Sequence, residues 1–158
     1  RDRDINLNHL VSNSNEDKLF YIFENPLYNT IDETIALKRK DVISKVKDII
    51  TLKSESLEKI LDRHLPDKKE IDFMSIDCEG HEMELLKSNN WKKYRPRILI
   101  VEIHCDINDI NNDPVFQYLK SVNYKMITKS ILSTIFVDEV FLSESPNIWQ
   151  QYAIGMKK

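Results

Sequence analysis

Glycine is nearly missing from this chain: only Gly80 and Gly155 occur in 158 residues. A loop that cradles a nucleotide needs glycines where backbone approaches phosphate, so no glycine-rich nucleotide loop is expected. Cysteine is equally scarce. Cys78 and Cys105 make no disulfide framework, and both are read as reduced thiols of a cytoplasmic protein. No apolar run approaches the roughly 20 residues that a membrane-spanning helix needs, and no signal-peptide pattern is read at the start. No long basic run occurs and the net charge is −3. Without clustered Lys and Arg to displace counterions, nucleic acid is not an expected partner, and neither is a membrane. Internal repeats and low-complexity tracts are also lacking. The chain opens on Arg1 rather than methionine, which, with the shortage of glycine, suggests a piece of a longer protein.

What is present is globular in character. Hydrophobic residues make up 41% and charged residues 31%, enough to bury a core in one domain spanning 1–158. Ile5 to Val11 alternates and predicts a strand, residues 13–17 a turn, and Lys18 to Phe23 a second strand, the pair reading as a hairpin or as a strand followed by an edge strand. Asn25-Pro26 marks a turn. Thr30 to Ser44 reads as loop with some helix, and Val46 to Leu52 as a short strand. Ser54 or Ser56 then caps a helix carrying Leu57, Ile60, Leu61 and Leu65. Ile71–Ile76, a helix from His81 to about Ser88, and Ile98–Ile103 make a βαβ unit with two buried parallel strands. On that helix Met83, Leu85 and Leu86 face inward, with Glu84 and Lys87 more exposed. Asp113 caps a helix that starts at Pro114. Tyr124 to Thr128 and Ser133 to Leu142 predict strands, and the tail with Trp149, Tyr152 and Ile154 an irregular cover.

Ligands collect beyond the carboxyl ends of strands in an open parallel sheet. Both strands of the βαβ unit end in ionisable groups. Asp77, Glu79 and Glu82 form D-x-E-G-x-E across the first strand-to-helix turn, where an acid also suits free backbone N–H groups. Glu82 is thus a candidate for pocket or cap, and Gly80 serves the turn itself. Glu102 is the more pointed signal, because a carboxylate within Ile98–Ile103 is costly to bury unpaired. It either meets a structural partner or faces a ligand. His104 is a candidate general base, since imidazole exchanges protons near neutral pH. His81 lies inside the acidic turn. No spacing here is diagnostic of a metal.

The residues Ile76-Asp77-Cys78-Glu79-Gly80-His81-Glu82, then Pro96 and Val101-Glu102-Ile103-His104, resemble the FkbM family of S-adenosylmethionine-dependent methyltransferases. Thr51-Leu52 resembles the segment upstream of that turn, and thin similarity runs from about Leu7 to Leu142. The resemblance implies an α/β fold: a Rossmann-like class I methyltransferase sheet, mostly parallel, with an antiparallel strand near the C-terminal end. It implies S-adenosyl-L-methionine as cofactor and methyl transfer to a hydroxyl of a sugar, glycan or secondary metabolite. Asp77 and Glu79 would face the methionine end of the cofactor or the acceptor. His104 would be the base, with Glu102 its orienter or an alternative base, and Asp77 beside them. Glu82 and His81 would line the substrate side. The acceptor pocket would come from loops in Glu24 to Lys47 and Asp106 to Asp113.

The family's glycine-rich loop and ribose-binding acid have no match here. Aligned in this way, the chain starts near the third strand, and the first two strands, which lie between the third and fourth, are missing. The domain is therefore expected to be incomplete, inactive alone and a weak binder of the cofactor. Two other readings compete: a metal-dependent hydrolase using Asp77, Glu79, His81 and His104, and a catalytically inactive binding module of the same fold. Oligomer formation is left open.

Overall fold

A computed structural model describes residues 4–40, 42–66 and 69–144. The chain divides into two compact units. The first holds residues 1–65 and 84–89, the second 66–83 and 90–158.

In the first unit, β1 (Leu10–Val11), β2 (Asp17–Phe23) and β3 (Val46–Glu55) form a three-stranded sheet in the order β1-β3-β2. Of the two arrangements expected for the first two strands, the hairpin is not formed, and β2 is instead an edge strand. β3 lies between them, parallel to β1 and antiparallel to β2. The reason is the length of β3, which runs three residues past Leu52 and so offers an edge to each neighbour. That extension also decides between the two serines. Ser54 is buried in the strand and donates to the carbonyls of Ser14 and Glu16. Ser56 is the cap of α2 (Leu57–His64), accepting from Lys59 N. The core gathers Tyr21, Phe23 and Ala36, the last from α1 (Glu33–Arg39), with Tyr28 and Val46 packed beside them. Asp32 caps α1 by accepting from Ile35 N, which is the helix within the stretch read as loop with some helix.

In the second unit, β4 (Phe73–Ile76), β5 (Ile98–Glu102), β6 (Tyr124–Lys129) and β7 (Ser133–Asp138) form a sheet in the order β4-β5-β7-β6. β4 and β5 are parallel; β7 is antiparallel to both β5 and β6. β7 is the antiparallel strand expected near the C-terminal end. Among the described residues the strands nonetheless make two mixed sheets, which corrects the expectation of one mostly parallel sheet. α3 (Glu82–Lys87) lies across the division: its first two residues group with the second unit and the stretch from Glu84 with the first. Glu84 is half-buried rather than outward-facing, because it accepts from Lys18 Nζ and Ser12 Oγ, each at 2.8 Å.

Leu99, Val101, Leu119, Tyr124, Phe136 and Val137 are buried in the second unit. Asp113 caps α4 (Pro114–Ser121) as expected, accepting from Val115 N and Phe116 N. The strand predicted to run to Leu142 stops at Asp138, and α5 (Glu139–Glu144) follows. Asp138 explains the stop. Its carboxylate is held by Arg95 Nε and Nη2 and also accepts from Val140 N, which turns the chain out of the ladder. Arg95 in turn lies 5.0 Å over the Tyr124 ring. The predicted tail with Trp149, Tyr152 and Ile154 lies outside the described residues. Among the described residues, no helix is long and apolar enough to cross a membrane.

Candidate active site

The turn after β4 is the first half of the site. Glu79 and Gly80 take φ values of 51° and 102°. The first is the left-handed region, unfavourable by roughly 1–2 kcal/mol for a residue with a side chain. The second is glycine's own territory. What holds this geometry is Glu82. It is buried, and its Oε1 accepts from Cys78 N at 3.0 Å and Gly80 N at 3.2 Å. Of the two roles read for Glu82, these hydrogen bonds are those of a staple reaching back onto the turn. His81, half-buried, closes the turn through its own N–H to the Cys78 carbonyl at 3.2 Å. The effect is to leave Asp77 and Glu79 exposed at the strand end.

β5 supplies the second half. Its pairing with β4 sets Val101 beside Ile76, so Glu102 and His104 emerge next to Asp77 and Glu79. The carboxylates of Asp77, Glu79 and Glu102 lie within 4.8 Å of one another. His104 Nε2 stands 3.4 Å from Glu102 Oε2. Glu102 is largely shielded, its side chain 14% exposed, whereas His104 is open to solvent. Glu102 Oε2 is buried and has no hydrogen-bond partner among the described residues.

Burial therefore raises the Glu102 carboxyl above its ordinary range. The neighbouring carboxyls of Asp77 and Glu79 push in the same direction, and His104 opposes them. The Cys78 thiol, in the same turn, is pushed up to about 11 by burial and by Glu82 and Asp77. It stays protonated at neutral pH and is no nucleophile. Cys105 is raised too, first by burial and then by Asp113.

Sequence reasoning thus found four of the residues that converge: Asp77, Glu79, Glu102 and His104. It did not find Lys129. That side chain, at the end of β6, donates to the carbonyl of Ile103, between Glu102 and His104, at 2.7 Å, and to the carbonyl of Ile131 at 3.3 Å. Ile103 N donates to Leu132 O at 2.9 Å. The exit of β5 is therefore tied on both sides to the β6–β7 turn. Between residues 104–107 and 129–132 opens a cleft of ≈ 560 Å³. It includes the start of the loop read as an acceptor wall, Asp106 and Ile107. Nothing in the local sequence around Lys129 signals this role, since its partner is distant in the chain.

A family model described as the methyltransferase FkbM domain matches residues 1–126. The chain belongs to the FkbM methyltransferase family. The match spans the D-x-E-G-x-E turn, Glu102 and His104, so the convergent residues are within it. No curated protein and no solved structure matches the chain. Within this family context the metal-hydrolase reading loses its basis. Among the described residues the three-carboxylate group is the one able to hold a cation, and it includes neither His81 nor His104. The four-ligand set that reading required is not assembled.

Proposed function

We propose that this FkbM-family chain is the acceptor-side part of an S-adenosylmethionine-dependent O-methyltransferase, acting on a hydroxyl of a sugar, glycan or secondary metabolite. The observation that carries the reading is the convergence of Glu102 and His104 with Asp77 and Glu79 at the ends of paired parallel strands. When bound, S-adenosylmethionine supplies an electrophilic methyl group on a sulfonium centre.

The chain's own residues then have separable tasks. Asp77 and Glu79 are exposed anions, suited to the cationic amino-acid end of that cofactor or to the acceptor. His104 takes the proton of the acceptor hydroxyl, leaving its oxygen electron-rich. Because Nε2 stands 3.4 Å from the Glu102 carboxylate, that nitrogen is the one the carboxylate orients by charge, and Nδ1 is the proton-accepting atom. Glu102 orients the imidazole and balances its charge once the proton has moved. Lys129, by gripping the Ile103 carbonyl, fixes the backbone from which His104 projects. Glu82 acts on the site through the turn it staples, and His81 stands at the substrate side. Much of the rate in such a two-substrate transfer comes from holding the acceptor oxygen in line. The fit to the cofactor is confined to these anions. Gly80 is taken by the turn, and no glycine-rich stretch is available to approach adenosine.

The test is transfer of a labelled methyl group from S-adenosylmethionine to hydroxylated acceptors by the full-length gene product. The reading expects label in an alkali-stable ether. Label in an ester or an amine, or none across sugar, glycan and metabolite acceptors, contradicts it.

A further inference from the structure

We propose that the cleft beside His104 selects an acceptor that carries an aliphatic chain beside its hydroxyls over a bare sugar, with Ile131 the main determinant. The inference rests on the methyltransferase reading and narrows its substrate class. Three large aliphatic side chains stand around the cleft: Ile107, 50% exposed, Ile131, 90%, and Leu132, 42%. Single exposed aliphatics are ordinary on a protein surface, but these three share one opening beside His104.

The polar groups of the same cleft are engaged within the chain. Lys129 Nζ is bound to two backbone carbonyls. Asp106 Oδ1 accepts from Asn108 N and Nδ2, and Ser130 Oγ donates to the Ser133 carbonyl. Burial pushes the Cys105 thiol up. That leaves His104 and the exposed carboxylate of Asp106 as the polar groups turned to a ligand and the aliphatic side chains as the apolar contact surface. A sugar ring is gripped by stacking its C–H face on an aromatic ring and by several side-chain hydrogen bonds. Among the described residues, no Phe, Tyr or Trp lines this cleft. The wall at residues 129–132 also lies beyond the span that matches the family model, so this selectivity is read from the chain's own residues.

The aliphatic contribution is separable from the hydroxyls. Octyl β-glucoside and methyl β-glucoside share every hydroxyl and differ in the alkyl chain. Each methylene taken from water is worth about fourfold in affinity, so two seated methylenes exceed tenfold. Calorimetry below the micellar concentration should show the octyl compound binding at least tenfold more tightly than the methyl one. Ile131→Ser, at a site too exposed to disturb folding, should bring the two within about threefold. Leu27→Ser, 75% exposed in the first unit, should leave the preference intact and so controls for general stickiness. Equal affinities, no measurable octyl binding, or a preference that survives Ile131→Ser would each overturn the proposal. The readout is binding alone, so its failure leaves the methyl-transfer reading standing. A failed transfer assay beside intact alkyl binding would instead fault the chemistry.

Discussion

Replacing Glu102 by Gln should make the protein more stable at neutral pH, the reverse of the usual result of altering a buried polar group. The side chain is 14% exposed and lies within 4.8 Å of two other carboxylates. At 4.8 Å, a pair of like charges repels by about 0.9 kcal/mol in a water-like medium and about 3.5 kcal/mol at an effective dielectric of 20. Asp77 and Glu79 are exposed, so the lower figure governs, and two such pairs give roughly 2 kcal/mol against the ionised form. His104 at 3.4 Å returns part of this. A net gain of about 1–2 kcal/mol is expected for Glu102→Gln at pH 7.5.

The sign follows from linkage. The Glu102 carboxyl is raised in the folded state by burial and by Asp77 and Glu79. The stability it contributes is therefore present below the ordinary carboxyl range and is lost as pH rises through the raised value. Urea unfolding of wild type and variant across pH 4–8 is the assay. The two should converge at the acid end and separate toward neutrality, with the variant the more stable. A variant equal to or weaker than wild type at pH 7.5 would refute the idea that burial and repulsion among the three carboxylates outweigh the attraction of His104.

Three further outcomes follow from the same geometry. Glu82→Ala removes the acceptor of two backbone N–H groups in a buried position and should cost about 2–4 kcal/mol; a urea-midpoint change worth less than 1 kcal/mol would deny the staple its role. Gly80→Ala puts a Cβ at φ 102° and should destabilise by more than about 1 kcal/mol, read by thermal melting, whereas an unchanged melting temperature would show that the turn relaxes freely. The 158-residue chain by itself should bind S-adenosylmethionine more weakly than micromolar, for want of glycines to approach the nucleoside, and a micromolar Kd by calorimetry would count against that.

The parts of this fold that were legible in the sequence are those fixed by neighbours in the chain. The apolar runs Phe73–Ile76 and Ile98–Glu102 announce buried strands, and Asp113-Pro114 announces a capped helix. Pairing partners outside the βαβ unit were not legible. Leu10–Val11 and Asp17–Phe23 look like a hairpin because only the short turn between them is local, yet both bond to β3. The end of β7 was misread because Phe136 to Leu142 is largely apolar. What ends the strand is a bidentate contact to Arg95, 43 residues earlier.

The site divides along the same line. Asp77, Glu79, Glu102 and His104 were legible because parallel pairing brings two strand ends together. The staple role of Glu82 depends on the positive φ values at Glu79 and Gly80, which no residue type but glycine signals. Lys129 acts on a backbone carbonyl 26 residues away, and a carbonyl leaves no mark in a sequence.

The most direct measurement is the rate of methyl transfer from S-adenosylmethionine by the full-length gene product, compared between wild type and His104→Asn at saturating cofactor and acceptor. The account predicts an ether product and a 10²- to 10⁴-fold slower rate in the variant, the span a positioned general base supplies. A variant that forms the ether within about threefold of the wild-type rate would contradict it.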